Sequence, residues 1–227
     1  VTMRIGVQGR LVTPQPVDYG TVQGLCAALR GRYSILHPAV VGRSLLGREI
    51  PALVLSAGGT GQPVLMAAAF HGQEWLTALC ALRLCEELCA AQRAHTTLCG
   101  VPIHKALRDR QIWFVPLANP DGVDLVTGAI QPGDIQYQLA DRISRDYPTI
   151  PFPDGWKANL LGMDLNLNYP AGWLQAREIK FSQGYTRPGP RDFVGRFPLS
   201  QIEPQALYDY TQRVDPEIVI AWHSQGQ

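Results

Sequence analysis

The chain has 227 residues, with 20 Lys+Arg against 19 Asp+Glu and a formal net charge of +1. A length of this order holds a core of useful size, and 46% hydrophobic with 17% charged residues is a globular composition, not a disordered one. Near-neutral charge removes any global electrostatic reason to expect a nucleic acid partner, and no apolar run approaches the roughly 20 residues of a membrane span.

In chain order, the opening VTMRIGVQGRLVTPQP lacks the apolar core of a secretory signal, although a chain that starts at Val1 can have lost an upstream segment. Residues 21–33 carry the pattern of an amphipathic helix, and a turn at Gly47 leads into a strand over Ile50–Ala57. VLMAAAF (64–70) is apolar throughout, as a strand covered on both faces should be, and a helix follows over Trp75–Arg93. IWFVPL (112–117) and EIVIAW (217–222) are two further short apolar runs. Apolar strands alternating with helices predict a three-layer α/β/α fold around a mixed, mostly parallel sheet. Residues 128–160 and 171–200 are rich in Gly, Pro and polar residues and are expected as long ordered loops, of the kind that serve function. No linker divides the chain, so residues 1–227 are expected to form one domain.

Five cysteines (Cys26, Cys80, Cys85, Cys89, Cys99) form an odd set, three of them on the Trp75–Arg93 helix, with Cys85 and Cys89 on one face. There is no CxxC pair, and a secreted disulfide framework would be shorter and even-numbered. The expected reading is small buried thiols, reduced, in a cytoplasmic protein.

Three polar residues sit where apolar runs end. His71 follows VLMAAAF, Glu74 comes three residues later, and His223 follows EIVIAW. Open α/β sheets bind ligands outside the carboxyl ends of their strands, and a turn opening at His71 aims positions i and i+3 the same way. Two imidazoles and a carboxylate form a catalytic zinc set with a fourth position free for water, whose pKa the ion lowers to roughly 7. By chance alone a chain of this composition holds about 0.15 HxxE matches, so the motif by itself is only suggestive. The competing reading is two core histidines satisfied by backbone groups and an ordinary first-turn carboxylate.

Five segments in order then resemble the zinc metallocarboxypeptidase family: GRSLLGREI, FHGQEW, NPDG (119–122), MDLNLNYP (163–170) and AWHSQG (221–226). The resemblance runs from about residue 20 to the end and implies one Zn2+ held by His71, Glu74 and His223, with hydrolysis of an amide. It also places Lys157, in WKAN, where the family has the arginine that polarises the scissile carbonyl, and Asn166 as a substrate-binding group. Asp164 has the simpler reading of a carboxylate that orients a zinc-bound imidazole, and Asp121 that of a turn residue.

Two departures refine this. Where the family has Asn-Arg, this chain has Asn166-Leu167, and leucine cannot grip a terminal carboxylate through a bidentate fork. DLNLNYPAGW and FSQGYTRPGPRDFVG are instead similar to the bacterial γ-D-glutamyl-L-diamino acid endopeptidases, which cut murein peptides between γ-D-glutamate and meso-diaminopimelate or lysine. That resemblance implies a murein-derived peptide substrate and a replacement cation near it: Arg191 first, then Lys180 and Arg187. The second departure concerns the family's general-base glutamate, which lies several dozen residues beyond the third ligand. The sequence stops at Gln227, and Glu203 and Glu217 precede His223, so a C-terminal part of the family domain is expected to be missing here, leaving the apolar edge of EIVIAW uncovered. Other readings are an ordinary zinc carboxypeptidase, an inactive peptide-binding homologue and a metal-free α/β domain.

Overall fold

The computed structural model describes residues 9–59 and 61–225. Helix α1 (Tyr19–Arg32) starts at Asp18, whose carboxylate accepts from the Thr21 amide at 2.6 Å, and ends with Arg30 and Arg32 in its last turn. Both features match the helix dipole. Strands β1 (Leu36–Arg43) and β2 (Glu49–Ser56) form an antiparallel pair across a turn in which Gly47 adopts a φ of +75°. Strand β3 (Val64–Ala67) is shorter than its apolar run because Ala69 takes a left-handed φ of 52° and bends the chain. Helix α2 (Leu76–Ala94) follows, then a small hairpin of β4 (Thr97–Leu98) and β5 (Val101–Pro102), the short α3 (Ile103–Ala106) and β6 (Gln111–Val115). The chain continues through α4 (Pro120–Thr127), α5 (Ile135–Ser144), α6 (Trp173–Ser182) and α7 (Ile202–Val214) to β7 (Ile218–Ala221).

The main sheet has the order β1-β2-β6-β3-β7. β3 runs parallel to both β6 and β7, while β1-β2 and β2-β6 are antiparallel. The sheet is therefore mixed, as expected, with parallel pairs equal to antiparallel pairs, not in the majority. Alternation along the strands separates two cores. Leu53, Leu55 and Phe114 face α1 and α2 in one apolar cluster, whereas Ile50, Ala52, Leu65, Ala67 and Val115 face Leu207 and Tyr210 of α7 in another. Cys26, Cys85 and Cys89 lie in the first cluster as buried free thiols, and Cys80 and Cys99 are free and exposed.

One further expectation is corrected. The segments read as loops contain α5 and α6, which sequence periodicity could not reveal. α5 buries only Ala140 and Ser144, and α6 only Trp173, while Leu174 is 72% exposed, so neither presents a regular apolar stripe. β7, whose apolar run is expected to leave an uncovered edge, pairs only with β3 among the described residues, and Ile218, Val219 and Ile220 are 39–53% exposed. Among the described residues no helix is long and apolar enough to cross a membrane.

Candidate metal centre

His71 stands four residues beyond the end of β3, in extended backbone, and caps a 3-10 turn over Gly72–Glu74 that runs into α2. The bend is secured from both sides. The Ala69 amide donates to Thr77 Oγ1 at 2.9 Å, and that hydroxyl donates to the Glu74 carbonyl at 2.8 Å. Gly72 is required by close approach, since a Cβ there would lie 2.4 Å from the Gly122 carbonyl oxygen. His223 follows β7, whose parallel register on β3 sets Ala67 opposite Ala221 and so brings both histidines to the same end of the sheet.

The three side chains converge. Glu74 is 1% exposed, with Oε1 3.0 Å from His71 Nδ1 and Oε2 3.0 Å from His223 Nδ1. The Ser224 amide also donates to Oε2, at 3.2 Å. One donor atom from each of His71, Glu74 and His223 lies within 4.8 Å of the others. The imidazole rings are tilted with centroids 4.9 Å apart, and His223 stacks on Phe70 at 5.5 Å. Two imidazole nitrogens around a buried carboxylate match the donor types and the three-ligand count of a catalytic zinc site. These residues can hold such an ion.

The surroundings orient the set. His71 Nε2 faces Asp164 Oδ1 at 3.1 Å, which leaves Nδ1 as the atom turned toward Glu74 and His223. Burial alone would push the His71 imidazole down. Hydrogen bonds and the charges of Asp164 and Glu74 outweigh it and hold the imidazole up at about 9. Burial would raise Glu74 in turn, but hydrogen bonds from His223 and His71 and the His71 charge keep it well below the usual carboxylate range. Asp164, also opposed by burial, is lowered by His71 and by the Asp192 amide.

Lys157 is buried, with Nζ 3.7 Å from Glu74 Oε1, so it belongs to the same cluster. Asp164 caps a short 3-10 turn, Leu165–Leu167, by accepting from the Asn166 amide at 3.2 Å. Asn166 is exposed at the rim of a cavity of about 490 Å³ between α7 and the β3-β7 edge, lined also by Phe70, Tyr169 and Ala221. Arg191 lies one step further out. Its Nε donates to Asp192 Oδ2 at 2.7 Å, and Lys180 Nζ meets Asp192 Oδ1 at 2.7 Å. Arg187 instead pairs with Asp146 at 3.3 Å on the surface. Asp121 is more than a turn residue: it is fully buried, accepting from Ser44 Oγ and the Leu46 amide, each at 3.0 Å, and meeting Arg48 at 3.2 Å. Glu203 accepts from the Leu45 amide and Glu217 pairs with Arg110, so neither joins the cluster.

Sequence reasoning missed Ser224 and Asp192. Ser224 acts through its backbone amide, which carries no side-chain signal, and Asp192 acts through a backbone conformation.

With this geometry in place, residues 22–227 match the zinc carboxypeptidase family, and the chain belongs to it. It is 31% identical over 219 residues to gamma-D-glutamyl-L-diamino acid endopeptidase 1 of Lysinibacillus sphaericus, covering 96% of this chain and 53% of that protein. It is 34% identical over 189 residues to the uncharacterized protein YqgT of Bacillus subtilis, covering 82% of this chain and 48% of that protein. The chain thus spans about half the length of these curated relatives. Its fold is similar to that of carboxypeptidase A from Helicoverpa armigera, with a TM-score of 0.64 and 21% identity over 93% of this chain and 46% of that one.

Proposed function

We propose that His71, Glu74 and His223 bind a single zinc ion, and that the protein hydrolyses the amide between γ-D-glutamate and meso-diaminopimelate or lysine in murein peptides. The observation that carries the metal reading is the meeting of three donors from two strand ends within 4.8 Å. The substrate reading is supported by Leu167 at the position of the family's carboxylate-gripping arginine, and by similarity to the Lysinibacillus endopeptidase across nearly the whole chain.

Zinc bound there would polarise the scissile carbonyl and activate water. The chain's own groups have separable parts in this reading. Asp164 fixes the ring of His71 through Nε2. Lys157 supplies a positive charge beside Glu74, as a point charge able to stabilise a developing oxyanion. Asn166 offers an exposed amide to the peptide, and Arg191, with its Nε committed to Asp192, offers its remaining guanidinium donors to a substrate carboxylate. The domain is read as single over residues 1–227, and the five free thiols favour a cytoplasmic location.

The test is to assay the full-length protein on a γ-D-glutamyl-diaminopimelate peptide beside a hippuryl-type peptide. Preference for the first by at least tenfold in kcat/KM, and loss of both zinc and turnover in His71→Ala, is the expected result. Preference for the hippuryl substrate overturns the substrate assignment. A fully active His71→Ala protein overturns the metal assignment.

A further inference from the structure

We propose that Asp192 is a positioning residue: clamped between Lys180 and Arg191 in a left-handed backbone conformation, it aims its amide at Asp164 and so sets the ring of His71. This rests on the metal reading above and adds to it a residue outside the three donors.

The observations are independent of one another. Asp192 has φ 67°, a conformation that non-glycine residues seldom take and that aspartate tolerates better than most. It is not a relaxed surface turn, because the residue is only 9% exposed and its carboxylate is engaged on both oxygens. Lys180 Nζ, from α6, meets Oδ1 at 2.7 Å, and Arg191 Nε meets Oδ2 at 2.7 Å. With side chain and φ thus fixed, the Asp192 amide donates to Asp164 Oδ2 at 3.1 Å, while the other oxygen of Asp164 faces His71 Nε2 at 3.1 Å. Backbone strain held in place by such surroundings is characteristic of functional sites.

The neighbours of Asp192 carry the same restraint to the other side of the cluster. The Phe193 carbonyl accepts from the Asp164 amide at 3.0 Å, and the Pro190 carbonyl accepts from the amides of Lys157 and Ala158 at 2.8 and 2.9 Å. Residues 190–193 are therefore a crosspiece between the Lys157 segment and the Asp164 segment. α6 secures it a second time through Phe181, whose ring stacks on Phe193 at 6.5 Å. A clamp that only stabilised a surface loop would need no contact with either segment.

The experiment measures zinc affinity of the full-length protein by competition with a chromophoric chelator, alongside the imidazole N–H resonances by NMR. In Asp192→Ala, zinc should bind roughly 10- to 100-fold more weakly, the range for loss of groups that orient a ligand. The His71 Nε2–H resonance should shift or broaden. Asp192→Asn, which keeps left-handed tolerance but turns one acceptor oxygen into an NH2 donor facing Lys180 or Arg191, releases one arm of the clamp and should likewise weaken zinc at least threefold. Should Asp192→Ala fail to fold, Lys180→Met releases one arm of the clamp and should weaken zinc at least threefold. Zinc affinity within threefold of the parent in Asp192→Ala, or in Lys180→Met where that variant replaces it, overturns the proposal. If the parent binds no zinc, it is the metal reading that fails, and the unshifted or shifted Nε2–H signal alone then decides the clamp.

Discussion

Arg48→Met tests how the NPDG segment is anchored beneath the metal centre. Arg48 Nη1 lies 3.2 Å from Asp121 Oδ1 and 2.7 Å from Asp124 Oδ2, with side-chain exposures of 24%, 0% and 5% for the three residues. Two unit-charge pairs at about 4 Å in an effective dielectric near 20 are worth about 4 kcal/mol each before desolvation is counted. Removing one partner of a buried pair costs about 3–5 kcal/mol. Because Arg48 keeps a quarter of its surface in water and both carboxylates retain amide donors from Leu46 and Tyr19, a loss near the lower end, about 3 kcal/mol, is expected. For a chain of this size that lowers Tm by roughly 6–12 °C.

The loss should depend on pH in a definite direction. Burial raises the Asp121 and Asp124 carboxyls above their ordinary value, and Arg48 opposes that rise. A carboxyl whose folded pKa is raised holds its proton longer in the folded state, so its contribution favours folding as pH falls. Without Arg48 the rise is larger, and the deficit relative to the parent should shrink between pH 7.5 and pH 5. Urea unfolding at both values measures it. A deficit below about 1 kcal/mol at pH 7.5, in the range of an exposed pair, or one that widens on acidification, refutes the reasoning.

Two further outcomes follow from the same structure. Gly72→Ala puts a Cβ 2.4 Å from the Gly122 carbonyl oxygen and 2.9 Å from that of Trp156, so a backbone must move. A destabilisation of about 1–3 kcal/mol is expected together with weaker zinc binding, and an unperturbed Tm would contradict the packing described. Zinc at 100 times its Kd should stabilise the folded protein by about 2.7 kcal/mol, an effect reversed by chelation and absent from His71→Ala. A zinc-independent Tm in the parent would count against the three-residue site.

The parts of the site legible in the sequence are those carried by regular structure. His71 and His223 close apolar strands, and Glu74 shares the turn with His71, so an apolar run followed by a ligand type marks these three as candidates, and the family resemblance adds the rest. The register that pairs β3 with β7, and so brings the two histidines together, is a tertiary fact with no signal in the sequence. The helices α5 and α6 were hidden because their apolar residues are few and partly exposed. Asp121 was hidden for another reason: Asp-Gly after proline is an ordinary turn sequence, and only the arrival of Ser44 and Arg48 from 70 or more positions away shows the carboxylate as a buried anchor.

What holds the irregular half of the site to the regular half is one buried amide and a few backbone bonds. Asn119 Nδ2 donates to the carbonyls of Phe70 and Ala158, each at 3.1 Å, while its Oδ1 accepts from the Gly122 amide at 3.0 Å and caps α4. The Gly72 and Gln73 amides donate to the Lys157 and Trp156 carbonyls at 3.1 and 2.9 Å. The end of β3, the start of α4 and the Trp156–Ala158 segment thus share one set of hydrogen bonds, in which an aspartate at 119 could not donate and an alanine at 72 could not fit. The Pro190 carbonyl then takes the amides of Lys157 and Ala158 onward to residues 190–193, and from there to Asp164. His71 is consequently reached by two routes, one through Gly72 on its own chain and one through Asp164 at its Nε2. A ring held at both its backbone and its far nitrogen can keep Nδ1 directed at Glu74 without relying on the ion to place it.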